Sequence, residues 1–120
     1  VGATRLPAHF YYMRHQMELS ARMYQQALDD IRRAVSLKPG ELLYRLEEAY
    51  LLLRVALYEE ACTAAKEALK LELENSAAHK ILGIAYGELG RKSEALEHLH
   101  RAAELGDTDS ETYIKKYSTK

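Results

Sequence analysis

Apolar residues in this chain recur on two scales. At short range, Ala27, Ile31, Ala34 and Leu37 fall at steps of four, three and three, which places them on one stripe of a helix. At long range the same stripe returns twice, as Ala61, Ala65, Ala68, Leu71 and as Ala95, Leu99, Ala102, Leu105. The step from 27 to 61 to 95 is constant, and Leu28, Cys62 and Leu96 keep it too. A fixed period of this size marks one supersecondary unit stacked on copies of itself. Alanine at two positions of every stripe requires helix backbones to approach closely there.

A second apolar helix precedes each stripe. In the third unit it runs through Leu82, Gly83, Tyr86 and Leu89 and meets Gly90, a residue suited to a left-handed helix end. Each unit is therefore a helical hairpin, with turns expected near Arg22, Ala56 and Gly90. Asn75 and Asp109 are expected to cap the helices that follow them, and Pro39–Gly40 separates the first two units. The chain divides into a leader, 1–7, repeats at 8–41, 42–75 and 76–109, and a closing helix, 110–120. In that last segment Tyr113, Ile114 and Tyr117 share a face, while Glu111, Lys115, Lys116 and Lys120 point elsewhere.

Composition narrows the function. Lys plus Arg number 17 and Asp plus Glu 18, a formal charge of −1 over 120 residues. Such balance argues against a nucleic-acid surface or an anionic membrane as partner. The single cysteine, Cys62, excludes an internal disulfide and a thiolate-rich zinc site, and its place on a packing stripe predicts burial. No apolar run approaches the roughly 20 residues of a membrane span. With no signal segment either, the expected location is cytoplasmic. The start at Val1 and the apolar cluster Phe10, Tyr11, Tyr12 and Met13 suggest that something packs on the first unit. A preceding unit, the leader or a second copy in a homodimer would each serve.

The repeating unit resembles the tetratricopeptide repeat. Unit three carries Leu82–Gly83, Tyr86, Gly90, Ala95, Leu99 and Ala102. Unit one carries Tyr24, Ala27, Asp30, Ile31, Ala34, Leu37 and Pro39, and unit two carries Ala49, Tyr58, Ala61, Ala65 and Ala68. The departures are Arg14 and Glu48 in place of a large apolar residue, His15 in place of a small one and Glu18 in place of an aromatic. Arg22 and Ala56 stand where the turn glycine belongs, and Leu73 and Asp107 where the pattern favours proline.

The resemblance implies an all-α, right-handed superhelical solenoid of stacked antiparallel hairpins, its first helices lining a concave groove. It implies protein–protein interaction without catalysis, and no cofactor. The implied lining is Tyr12, Gln16 and Leu19 from unit one, Leu43, Leu46, Tyr50 and Leu53 from unit two, and Lys80 and Ile84 from unit three. His9, Ala77 and Gly87 fall on the same edges, with Arg54 and Glu88 nearby. The Lys, Asn and Arg set that clamps terminal carboxylates in some members is missing apart from Lys80. The segment 42–57 is apolar nearly all round, which fits either a middle helix flanked on both sides or a seat for an apolar peptide, helix or neighbouring domain. The alternative function is structural, the apolar surface serving self-association or stacking.

Titratable residues offer little chemistry. No two of the five histidines have the i, i+4 spacing of a metal-binding helix, so surface histidines are expected. Arg14 and Glu48 occupy equivalent slots in successive units. Either Arg14 pairs with Glu48 or Glu47 across the layer, or both reach solvent.

Overall fold

The computed structural model describes residues 6–119. Seven helices are present among them: α1 (Ala8–Ser20), α2 (Tyr24–Leu37), α3 (Leu42–Arg54), α4 (Tyr58–Leu71), α5 (Ser76–Glu88), α6 (Lys92–Glu104) and α7 (Ser110–Ser118). The helices α1, α3 and α5 begin at 8, 42 and 76, and α2, α4 and α6 at 24, 58 and 92, so both sets keep the period of the sequence. Helices α1, α3 and α5 each pack on the even helix that follows, neighbouring hairpins meet through α2–α3 and α4–α5, and α7 docks on α6. The result is elongated, 60 × 27 × 22 Å. No described helix is long and apolar enough to cross a membrane.

The three hairpin turns share one construction. Arg22, Ala56 and Gly90 adopt left-handed φ values of 61°, 64° and 81°. The next amide reaches back five positions in each: Met23 to the Glu18 carbonyl at 2.7 Å, Leu57 to Leu52 at 2.9 Å and Arg91 to Tyr86 at 2.9 Å. With the shorter bond from the left-handed residue itself, this is the Schellman closure of a helix end. Gly106, at φ 106°, ends α6 the same way, its neighbour Asp107 donating to Ala102 at 3.0 Å. The turn therefore survives without glycine in two hairpins, and α3 stops at Arg54; Val55–Leu57 belong to the turn and not to the helix expected over 42–57.

The alanine stripes form the contact layer. Ala27, Ala34, Ala61, Ala68, Ala95 and Ala102 are wholly buried, and Cys62 is buried beside them. Gly83 shows why one facing position is small: a Cβ there would lie 2.6 Å from Leu99 Cγ and 3.1 Å from the Ala95 carbonyl. In unit one the equivalent residue is His15. It fits by bonding: Nδ1 donates to the Ala27 carbonyl at 3.0 Å, and Nε2 faces Glu47 Oε1 at 3.2 Å.

Several expectations need correction. Arg14 pairs with neither Glu47 nor Glu48. It grips Asp30 on its own hairpin, Nε to Oδ2 at 2.6 Å and a terminal nitrogen to Oδ1 at 2.8 Å. Asp30 is only 1% exposed, and Arg33 also reaches it at 2.6 Å, because a buried carboxylate requires cationic donors close by. Glu48 turns instead to Arg32 at 3.4 Å. The histidines are not uniformly solvated, since His15 and His79 are buried. Asn75 caps α5 by accepting from the Ala78 amide at 2.8 Å, but Asp109 makes no such bond. Asp107 does that work, accepting from the Asp109 amide at 3.1 Å and from Ser110 Oγ at 2.7 Å.

Candidate functional site

The larger apolar cleft lies between α3 and α5 and holds about 540 Å³. Its α3 wall is Leu43, Leu46, Tyr50 and Leu53, with Glu47 and Arg54 beside them. Those positions repeat at steps of three and four, so one helix face supplies the whole wall. The α5 wall is Ala77, Lys80, Ile81 and Ile84, and Asp109 and Tyr113 close one end. Leu43 and Tyr50 are each 42% exposed, high for residues of their size on the middle unit of a stack.

Of the residues expected to line a groove, Leu43, Leu46, Tyr50, Leu53, Lys80 and Ile84 come together here. Leu19 lines a smaller adjoining cleft of about 190 Å³ with Tyr24, and Tyr50 and Arg54 are shared by both. Tyr12 and Gln16 stand outside the two clefts. Tyr12 packs on Tyr44 with ring centres 5.4 Å apart and accepts a hydrogen bond from Gln16 at 3.0 Å. Gly87 is covered: a Cβ there would lie 2.4–2.6 Å from three ring atoms of Tyr117 on α7. Glu88 is occupied too, accepting from the Tyr117 hydroxyl at 2.6 Å and from Lys116 at 3.1 Å. Those two bonds, with the Tyr117 hydroxyl foremost, hold its carboxyl below the usual range.

The closing contribution of Asp109 and Tyr113 was not legible as groove lining. The pattern of the last segment shows an apolar face, but its docking angle decides which residues overhang the cleft.

The charges of the cleft are arranged in three ways. Lys80 lies 3.1 Å from Asp107 and 3.4 Å from Asp109, so its ammonium is already neutralised. Glu47 is held from behind by His15. Ala27 offers His15 only a carbonyl, so Nδ1 carries a proton there. Burial opposes charge on the ring, but the bonds to Glu47 and Ala27 outweigh it and raise the His15 pKa. Protonated, His15 donates from both nitrogens. Arg54 differs from Lys80: it donates to the hydroxyls of Tyr50 at 3.2 Å and Tyr24 at 3.0 Å and lies over the Tyr24 ring at 5.3 Å. No carboxylate pairs with it among the described residues.

A second cavity of about 430 Å³ lies against α5 and α6, lined by His79, His98 and His100 together with Leu73, Glu97 and Arg101. His79 Nε2 donates to the Leu73 carbonyl at 3.1 Å, which leaves Nδ1 facing His98 Nδ1, also at 3.1 Å. The ring centres are 5.3 Å apart, so the two nitrogens point almost head-on. That geometry shares one proton; it does not converge on a metal. Burial, then the neighbouring His79, lowers the His98 pKa. Among the described residues no three His, Cys, Asp or Glu side chains are placed to hold a metal ion. This pairing was invisible in the sequence, because the two histidines belong to different helices and no short spacing links them.

Paired antiparallel helices at one fixed period, left-handed turns at equivalent positions and a contact layer of alanine describe one repeat family. A tetratricopeptide repeat family model matches residues 3–114. The chain belongs to the tetratricopeptide repeat family. Solved tetratricopeptide repeat structures agree in fold. The first such domain of Spaghetti (RPAP3), bound to the HSP90 peptide SRMEEVD, superposes with a TM-score of 0.86 at 18% identity. The match covers 92% of this chain and 90% of that one. The Arabidopsis OM64 domain gives 0.86 at 18%, covering 92% and 93%. The second domain of human RPAP3, in complex with the HSP70 peptide SGPTIEEVD, gives 0.85 at 23%, covering 94% and 99%. A search of curated proteins finds no match. The all-α solenoid expected of tetratricopeptide repeats is the fold of this chain.

Proposed function

We propose that this chain is a non-catalytic protein-interaction module that holds an apolar segment of a partner in the cleft between α3 and α5. The observation that carries the reading is the cleft wall itself: Leu43, Leu46, Tyr50 and Leu53 form an apolar face that the solenoid leaves partly open to water. Uncovered apolar area of this kind is costly, and a partner that covers it recovers about 25 cal/mol per Å². Similar tetratricopeptide repeat domains solved with HSP90 and HSP70 peptides support a peptide-binding role. The ligand class differs here, because Lys80 is already paired and the clamp set is missing. The units at 8–41, 42–75 and 76–109, closed by 110–120, act together in this reading, and the even spacing of helix starts supports that division.

The test is binding of a hydrophobic dye and of an apolar peptide library, repeated with Leu46→Ser and Tyr50→Ser. Binding should fall at least fivefold in each variant. If both bind as the parent does, the cleft is not the seat.

A second reading is self-association through α1, on which Phe10, Met13 and Met17 are 38%, 52% and 71% exposed. Light scattering after size-exclusion chromatography separates the two. A monomer supports the open cleft, and a dimer that Met13→Glu dissociates supports packing of two copies.

A further inference from the structure

We propose that the occupant of the cleft is an amphipathic helix that runs antiparallel to α3 and carries an acidic residue two turns ahead of a basic one. This deepens the proposed function and rests on it.

Each residue of an extended peptide brings an amide and a carbonyl that must find partners. The cleft walls are leucine, isoleucine, alanine and tyrosine side chains on two helices whose own backbone groups are paired along their length. An extended ligand would leave polar groups unsatisfied against that surface, at a cost of about 1–3 kcal/mol each. A helical ligand arrives with its backbone already bonded.

Leu43, Leu46, Tyr50 and Leu53 follow the three-and-four alternation of a coiled-coil seam, and Glu47 and Arg54 flank it at the same place in successive heptads. The seam from Leu43 to Arg54 is about 16 Å long, enough for three turns of a partner helix. Such grooves are read by anchors at i, i+3, i+4 and i+7.

Of the four charged side chains in the cleft, Lys80 is held between Asp109 and the nearer Asp107, so it has no charge to offer a ligand. Arg54 has only neutral tyrosine hydroxyls to bond, and it asks for a carboxylate. Glu47 uses one oxygen on His15, while no donor meets the other among the described residues. The two flanking charges stand one heptad, about 10 Å, apart. A partner helix would meet Arg54 with Asp or Glu and Glu47 with Lys or Arg.

Direction follows from the same placement. Arg54 ends α3, so an antiparallel partner begins there with its acid and reaches its base two turns later. Acid near the N-terminus and base toward the C-terminus also suits the partner's own helix dipole. A parallel partner would need the opposite order and would oppose it.

The experiment uses the full chain and four labelled peptides, each long enough for about five helical turns, the fourth being the first with Lys at both charged positions. One places Glu a heptad before Lys beside a Leu seam. The second has the same composition with the two charges exchanged. The third scrambles the seam and carries proline at its centre. Fluorescence anisotropy should show the Glu-first peptide binding at least tenfold more tightly than the Lys-first one, with the proline peptide weakest. In Arg54→Glu, a residue exposed enough to leave folding intact, a peptide with Lys at both charged positions should overtake the Glu-first peptide. Circular dichroism should show helix gained on binding. Equal binding of both charge orders, or a preference unmoved by Arg54→Glu, overturns this inference while the apolar seat survives. Tightest binding by the proline peptide overturns the helical occupant. If no peptide binds, the seat itself falls.

Discussion

His15 shows how one side chain joins three helices. It occupies a slot that is alanine in unit two and glycine in unit three, and it is fully buried. It bonds α2 through Ala27, bonds α3 through Glu47 and stacks on Tyr12 with ring centres 6.1 Å apart. Reading the sequence against the repeat pattern exposes the residue as an intruder, but not what it does. A small residue is wanted there for packing, and only the structure shows that an acceptor stands at each ring nitrogen. The linkage has a definite sign. The folded-state pKa lies above the ordinary value of 6.5, so the folded state binds a proton that the unfolded chain releases first. The stability this contributes is fully present below about pH 6.5 and is lost as pH rises through the folded pKa. Urea titrations at pH 5.5 and pH 8.5 should therefore show the parent losing its stability advantage over His15→Ala at the higher pH, since the lowered pKa of His98 acts in the opposite sense in both proteins. In His15→Ala that component of the pH dependence should vanish, and the variant should be about 2–4 kcal/mol less stable at pH 5.5, from the cavity and the lost hydrogen bonds.

At the scale of elements, the turns and the last helix separate what periodicity can reveal from what it cannot. The repeat step places every turn, because equivalent residues must do equivalent work. It does not say how Arg22 and Ala56 manage without glycine. Both accept a left-handed φ, held by the backward bond from the next amide. That conformation costs a non-glycine residue about 1–2 kcal/mol, partly offset because glycine loses more entropy on folding. Ala56→Gly should therefore stabilise the chain slightly, by about 0.5–1 kcal/mol in chemical denaturation. Gly87→Ala should do the opposite. The Tyr117 ring fills the space above Gly87, so an added methyl must push α7 away. A loss of about 1–3 kcal/mol is expected, with the Tyr117 hydroxyl released from Glu88. Gly40→Ala meets nothing within 4 Å and serves as the control. The apolar face of α7 was legible from Tyr113, Ile114 and Tyr117. Its partners were not, because the angle at which a terminal helix lies down depends on Gly87 and Ile84 on another element.

Across the whole molecule, stability is unevenly distributed along the array. A solenoid unit touches only its neighbours, so an end unit has one interface where a middle unit has two. The first and last of the described helices are covered to different extents. At the C-terminal end α7 covers α6, and Ile114 and Tyr117 form a small buried cluster with Leu99. At the other end α1 buries only Ala8 and His15, while α5 buries Ala78, His79, Ile81, Leu82, Gly83, Ala85 and Tyr86. The outer charges of unit one do not compensate, since Arg14 and Arg33 are spent on a single buried Asp30. That carboxyl is held at about pKa 2, chiefly by Arg14. Local opening should therefore begin at α1. Native-state hydrogen exchange should show amide protection lowest in α1, intermediate in α2 and α7, and highest in α4, α5 and α6. His15→Ala should deepen the gradient by lowering protection in α1 and at the α3 face it touches, with α5 and α6 unchanged. Uniform loss across all helices would mean that the array unfolds as one cooperative body, and that its three hairpins do not divide its stability between them.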